Sequence, residues 1–224
     1  MSETKKIEVM ENIHGENERI ALETNQRLTE AGIFCVNVMG APGAGKTSSI
    51  IQIIKNLKHV TPFVIEGDIE SDLDTQTLTR LGIKTFQINT GGACHLDAPL
   101  IRDAVNMLAP NKKGILFIEN IGNLVCPAEF VIGEHMKLLI STVTEGSDKP
   151  YKYPLAFEKA DGVILNKSDL IPYIDFDLDF FTRGFRALNP QAPLFKVSAK
   201  TGDGFSQVAQ WLEEKAMGLN EAKD

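Results

Sequence analysis

Eight residues, "GAPGAGKT" at 40–47, leave this chain few architectures to choose from. They stand between the apolar run "IFCVNVMG" (33–40) and "KTSSIIQIIKNL" (46–57), whose apolar residues recur at helical spacing. A short apolar run bounded by turn residues reads as a buried strand. The octapeptide fits G-x-x-x-x-G-K-S/T in the strand–loop–helix setting that this phosphate-binding pattern requires. Gly40, Gly43 and Gly45 let the backbone wrap an anion with its N–H groups facing inward. Lys46 brings charge to the β- and γ-phosphates, and the Thr47 hydroxyl suits Mg²⁺. Ala44 and Ser48 complete the cradle.

Strand and helix signals alternate along the rest of the chain. Helices are expected at 15–32, 46–57, 71–82, 97–108, 176–189 and 204–218. In the first, Ile20, Leu22 and Leu28 are expected on one side, with Gly32 as the stop. Strands are expected at 33–40, 61–68, 84–89, 114–120, 137–144, 160–167 and 193–199. Such alternation predicts an α/β fold of three layers, a mostly parallel sheet covered by helices on both faces. Ligands then bind at the carboxyl ends of the strands, where every motif in this sequence falls. Residues 1–14 are polar and are set apart from a single domain over 15–224.

The base is read by "NKSD" (166–169), which follows the strand "GVIL". A carboxylate there accepts two hydrogen bonds from guanine, one from the ring N–H and one from the exocyclic amine. Adenine presents no such pair, and an unpaired carboxylate discriminates strongly. Asp169 is therefore the guanine reader, with Asn166 and Lys167 bracing the loop. "SAK", residues Ser198, Ala199 and Lys200, closes over the base. The order of these motifs is that of the GTPases, so GTP and GDP are the expected nucleotides.

"ENIG" (119–122) occupies the place where GTPases carry D-x-x-G or E-x-x-G. Glu119 would hold Mg²⁺ and the Gly122 amide would sense the γ-phosphate. Asp68, at the tip of "EGDIESDLD" (66–74), is a second magnesium candidate. Lys46, Asp68 and Glu119 form the expected catalytic set. Asp72 and Asp74 are near, but acids in a first helical turn are also favoured by the helix dipole. Asn123 follows Gly122, where GTPases of the Ras type place a water-orienting glutamine. No arginine stands out as an internal finger, so slow intrinsic hydrolysis is expected, with a partner or second subunit completing the site.

Three cysteines, an odd and sparse set, argue against a disulfide framework and suit a reducing compartment. Cys35 lies inside the first apolar run and is expected in the core. Cys94 and His95 adjoin in the glycine-rich "NTGGACHLDAP" (89–99), and Cys126 follows the switch glycine in "LVCP". Thiolate and imidazole suit Zn²⁺, and Ni²⁺ in planar geometry. Such an ion wants four ligands, which two copies of the chain could pool at an isologous interface. On pattern alone, packing remains open for both cysteines. His14, His59 and His135 show no ligand spacing. A formal net charge of −7 disfavours a nucleic-acid face. No apolar run approaches a membrane span, and a cytoplasmic location is expected.

Taken in order, "GAPGAGKTS", "EGDI", "NTGGACHLDA", "FIENIGNLVCP", "NKSDL" and "SAKTGDG" resemble the HypB family, the GTPases that insert nickel during maturation of nickel–iron hydrogenases. The resemblance runs from about residue 12 to 216. It implies the signal-recognition-type (SIMIBI) branch of the P-loop GTPases. It also implies nucleotide-linked homodimerisation and a metal site at the dimer interface, with Cys94, His95 and Cys126 as ligands for nickel or zinc. The implied partners are a nickel-handling maturation protein and the precursor of the hydrogenase large subunit. Lys46, Thr47, Asp68 and Glu119 match the family's residues around Mg-nucleotide. Some members add an N-terminal cysteine motif or a histidine-rich stretch. Residues 1–21 here hold no cysteine and one histidine, so nickel capture there is not expected. The urease accessory GTPase reads differently at "CHLDA" and "ENIGNLVCP".

Overall fold

The computed structural model describes residues 3–67 and 77–221. Asp68, Asp72 and Asp74, and the first half of the helix expected at 71–82, lie outside these residues. Residues 77–80 are helical.

The strands are β1 (Ile33–Gly40), β2 (Thr61–Glu66), β3 (Lys84–Gln87), β4 (Gly114–Glu119), β5 (Met136–Thr142), β6 (Gly162–Asn166) and β7 (Leu194–Lys196). They form one seven-stranded sheet in the order β3-β2-β4-β1-β5-β6-β7, and every pairing is parallel. The longer helices are α1 (Glu3–Glu30), α2 (Lys46–Asn56), α3 (Ala98–Leu108), α5 (Leu178–Leu188) and α6 (Phe205–Glu221). A one-turn helix, α4 (Cys126–Glu129), follows β4.

Burial on both faces explains why the strands read as continuous apolar runs. Val36, Val38, Phe117, Leu138 and Ile140 face α2 and α6 in one cluster with Ile50, Ile53, Val208 and Leu212. Their strand neighbours Cys35, Leu116 and Ile118 pack on the other face with Leu28 of α1 and Ile101 and Leu108 of α3. Cys35 is fully buried, as the sequence predicts, and burial pushes its thiol well above the usual range, with Glu134 adding to the shift. A third cluster sets Met39, Leu139, Val163 and Leu165 against Phe157, Phe181 and Phe185.

Several sequence expectations shift: β2 ends at Glu66 and not at residue 68, β3 ends at Gln87, and β7 covers only Leu194–Lys196. Helix α1 begins at Glu3, well before residue 15, and ends at the expected glycine, with Gly32 at φ 70°. Its buried face is Asn17, Ile20, Ala21, Thr24 and Leu28, whereas Leu22 is 60% exposed. At 100° per residue, positions 20, 24 and 28 share a face, while position 22 lies across the helix from 20. Strand β5 stops at Thr142, because Thr142 and Glu145 form a capping box that turns the chain into a short 3₁₀ helix.

Strand β1 is central, between β4 and β5; the chain leaves β1 toward β2 and leaves the adjacent β4 in the opposite direction, toward β5. The loop after β1 therefore opens at a topological switch point, where a crevice forms beyond the strand ends.

Candidate nucleotide and metal site

The phosphate loop is built by the abrupt passage from β1 into α2. Gly43 and Gly45 both adopt positive φ, 71° and 87°, which points successive N–H groups into the turn. Lys46 is 4% exposed at the start of α2. The Thr47 hydroxyl donates to Glu119 Oε1 at 2.9 Å. That bond brings two hard oxygen donors from α2 and β4 together beside the phosphate cradle, a donor set that fits Mg²⁺. Glu66 is the register partner of Glu119 on neighbouring β2, so both carboxylates leave the sheet on one face. Each is 4% exposed. The sequence reading passed over Glu66 because it took the strand to run on to Asp68.

The base loop is locked to the phosphate loop. Asn166 Nδ2 donates to Ala44 O at 3.0 Å, and its Oδ1 accepts from the N–H groups of Lys167 (2.7 Å) and Ala199 (3.0 Å). Lys167 takes a left-handed conformation, φ 60°, and its Nζ donates to Gly43 O at 2.8 Å. Ser198 Oγ donates to Asp169 Oδ1 at 2.7 Å, which fixes the plane of that carboxylate. Gly45, Ser48, Asn166, Lys167, Asp169 and Lys200 line a cavity of about 390 Å³. Part of the expected nucleotide set thus lines one cavity, and one side chain, Asn166, links three of the loops around it.

The switch segment 119–123 lies between the phosphate loop and the cysteine loop. A Cβ on Gly122 would come within 2.9–3.1 Å of Pro42, so only glycine permits this approach. Asn123 pairs with Gly40 in an isolated antiparallel bridge. Its side-chain amide donates to Cys94 O at 3.1 Å, so it faces the cysteine loop. Asn120 is fully buried. Its Oδ1 accepts from Leu96 N (3.3 Å) and Ile121 N (2.9 Å), and its Nδ2 donates to Asn37 Oδ1 at 3.1 Å.

Gly91 and Gly92 turn at positive φ (58° and 91°) just before Cys94 and His95, so these adjacent side chains escape strand alternation. Cys94 Sγ lies 3.3 Å from His95 Nδ1 and 3.6 Å from Cys126 Sγ. The ligand atoms of Cys94, His95 and Cys126 all fall within 4.8 Å of one another. The hydrogen bond with Cys94 raises the Cys126 thiol above its usual range, and burial adds to the shift. The His95 ring stacks on Phe130 with centroids 4.2 Å apart. His135, by contrast, is structural: Nδ1 accepts from Cys35 N at 2.9 Å and Nε2 meets Thr29 Oγ1 at 2.8 Å. Sequence patterns missed Asn37, Asn120 and Phe130, since each belongs to the site only through partners distant in the chain.

Comparison with known proteins follows the same residues. The model of the CobW/HypB/UreG nucleotide-binding domain matches residues 34–196. A hydrogenase maturation factor HypB from Rhizobium leguminosarum bv. viciae is 43% identical over 217 residues, covering 96% of this chain and 73% of that one. A hydrogenase/urease maturation factor HypB from Helicobacter pylori is 36% identical over 215 residues, covering 94% and 88%. The crystal structure of HypB from Helicobacter pylori in complex with nickel aligns with a TM-score of 0.85 at 34% identity, covering 91% and 96%. The signal recognition particle receptor FtsY from Elizabethkingia anophelis shares the fold alone, with a TM-score of 0.51 at 14% identity over 81% of this chain and 65% of that one. The fold is thus that of the SIMIBI branch of P-loop GTPases.

Replacing Asn120 with Ala removes the acceptor of the buried Leu96 N–H and the half-buried Ile121 N–H and the donor to Asn37. The expected loss is about 1–3 kcal/mol of unfolding free energy, read by urea denaturation of the metal-free protein.

Proposed function

Given that the chain belongs to the CobW/HypB/UreG family, on its HypB branch, we propose that it hydrolyses GTP and couples that cycle to nickel delivery during hydrogenase maturation. One observation carries the coupling. The segment that meets the phosphate loop at Pro42 also holds the cysteine loop, through Asn120 to Leu96 and Asn123 to Cys94. It then runs on into Cys126. A change at the γ-phosphate displaces Gly122, and with it one ligand relative to two others. Metal affinity and nucleotide state are then linked in both directions.

Lys46 and the loop N–H groups bind the β- and γ-phosphates and stabilise charge as the terminal bond breaks. Thr47 and Glu119, with Asp68 and Glu66 as further carboxylates, would hold Mg²⁺, which when bound neutralises phosphate charge. Asp169 reads guanine. The side chain of Asn123 is engaged with Cys94 O, which leaves no evident residue among the described ones to orient the attacking water. Intrinsic turnover is accordingly slow, below about 1 s⁻¹; a faster single-protein rate in a phosphate-release assay would contradict this.

Nickel is the cargo, held by Cys94, His95 and Cys126, with zinc as the competing ion for the same thiolate–imidazole set. Three ligands per chain favour a homodimer that pools two sets. Val125 (53% exposed) and Val131 (41%) flank α4, and such apolar exposure supports an interface there. A nickel-handling maturation protein and the hydrogenase large-subunit precursor complete the proposed set of partners. Urease is a second client class, raised by the Helicobacter pylori relative's name. Hydrogenase is preferred because the relatives at 40–43% identity are named for hydrogenase alone. Among the described residues no helix is long and apolar enough to cross a membrane, and a cytoplasmic site of action is proposed.

Two measurements test this function. Nickel affinity of the wild type should differ at least severalfold between the GDP and GTP-analogue states, and Cys126→Ala should lose most of the binding in both; equal affinities throughout would refute the coupling. Asp169→Asn should weaken GDP by about tenfold or more and improve binding of xanthosine diphosphate, whose C2 oxygen needs a donor. A variant with unchanged base preference would remove Asp169 as the guanine reader.

A further inference from the structure

A lysine outside every motif ends in the wall of the metal site. Lys137 belongs to β5 and is 9% exposed. Its Nζ donates to the carbonyls of Ala128 and Phe130, each at 2.9 Å, and approaches Pro127 O at 3.5 Å. These carbonyls belong to α4 and the residue that caps it, the turn that begins at Cys126. A helix end leaves such carbonyls without intrahelical partners, and a cation can satisfy them. Phe130 is held at both ends: its carbonyl by Lys137, its ring by the stack on His95.

The ammonium is anchored in turn. Glu134 Oε1 lies 3.7 Å from Lys137 Nζ, and Glu134 Oε2 accepts from Ile132 N at 2.7 Å. Asn37, the register partner of Lys137 on β1, reaches Glu134 Oε1 at 3.5 Å and accepts from Asn120 at 3.1 Å. A chain of mostly buried polar side chains, Asn120–Asn37–Glu134–Lys137, thus runs beneath the site. Its one end holds the loop of Cys94 and His95 through Leu96, and its other end holds the turn of Cys126. Burial lowers the affinity of Lys137 for its proton, and Glu134 works against that shift. A charge this far from water is expensive unless well paired. Its partners here are the backbone of one ligand-bearing turn and a single carboxylate.

We infer that Lys137 is a positioning residue of the nickel site: it fixes the α4 turn and the Phe130 shelf so that Cys126 and His95 stand at ligand distance from Cys94. This rests on the reading of Cys94, His95 and Cys126 as nickel ligands. Lys137 has its contacts with the α4 turn and Glu134, and it does not line the cavity of the base loop. It should therefore act on metal and leave nucleotide alone. Outer partners of this kind commonly alter metal affinity by about tenfold to a hundredfold.

The test compares wild type, Lys137→Met, Lys137→Arg and Cys126→Ala in the full chain. Nickel affinity is read by competition with a chromophoric chelator, the site by thiolate-to-nickel charge-transfer absorption, and folding by GDP affinity. Lys137→Met should bind GDP within about twofold of wild type, lose about tenfold or more in nickel affinity and show an altered charge-transfer band. Lys137→Arg, which keeps a cation for the carbonyls, should recover part of that loss. A Met variant with unchanged nickel affinity and spectrum overturns the inference while Cys126→Ala still loses nickel. If Cys126→Ala binds as wild type does, the ligand reading fails and the role of Lys137 falls with it. Should Lys137→Met fail to bind GDP, Phe130→Leu tests the same support from its other end. It should weaken nickel with GDP affinity intact, and unchanged nickel binding there is equally fatal.

Discussion

Everything near the metal site hangs on one buried amide. Asn120 sits at the end of β4 with no access to water, and three hydrogen bonds use both ends of its side chain. Buried polar groups are tolerable only when fully paired. The loops that supply those partners cannot drift independently without leaving some of them unsatisfied. The switch segment and the Cys94–His95 loop consequently behave as one mechanical unit, attached to the phosphate loop at Gly122.

That attachment gives the protein a physical route between two chemistries that share no ligand. In the proposed function, phosphate is bound by backbone dipoles, Lys46 and hard oxygens, and metal by the two sulfurs and the imidazole that lie within 4.8 Å of one another. The shared part is a handful of residues, 119–126, which enter the strand end as a carboxylate and leave it as a thiol. Small displacements there matter because the core beneath is close-packed and does not deform continuously. The proposed base loop is attached elsewhere. Asn166 and Lys167 tie it to the other side of the phosphate loop, through Ala44 and Gly43.

The fold was legible to a useful depth. Seven strand expectations correspond to seven strands, because a parallel sheet buried on both faces must be written in continuous apolar runs. Errors fell where tertiary partners decide an element's end. The Thr142–Glu145 capping box shortened β5. The register of the first helix was misread at Leu22, since an isolated exposed leucine carries no mark of its exposure. The proposed phosphate and base loops could be located from sequence, because their chemistry demands particular side chains at fixed local spacing.

The metal site was legible in a weaker sense. Sequence alone named Cys94, His95 and Cys126, and family resemblance selected them as ligands over packing residues. Their convergence within 4.8 Å is a property of the folded chain. So are the roles of Asn37, Asn120, Phe130 and Lys137, whose types and spacing announce nothing. The sequence by itself determined the local patterns: a glycine-rich loop between strand and helix, the N-K-x-D carboxylate proposed to read guanine, and an alternating α/β sheet. Each follows from contacts within a few residues or from a repeating period. Only the tertiary structure decided which distant segments share a site. Hydrogen bonds between residues 24 or 83 positions apart, such as Asn120 to Leu96 and to Asn37, depend on strand order and register, and these are set by the packing of the whole sheet.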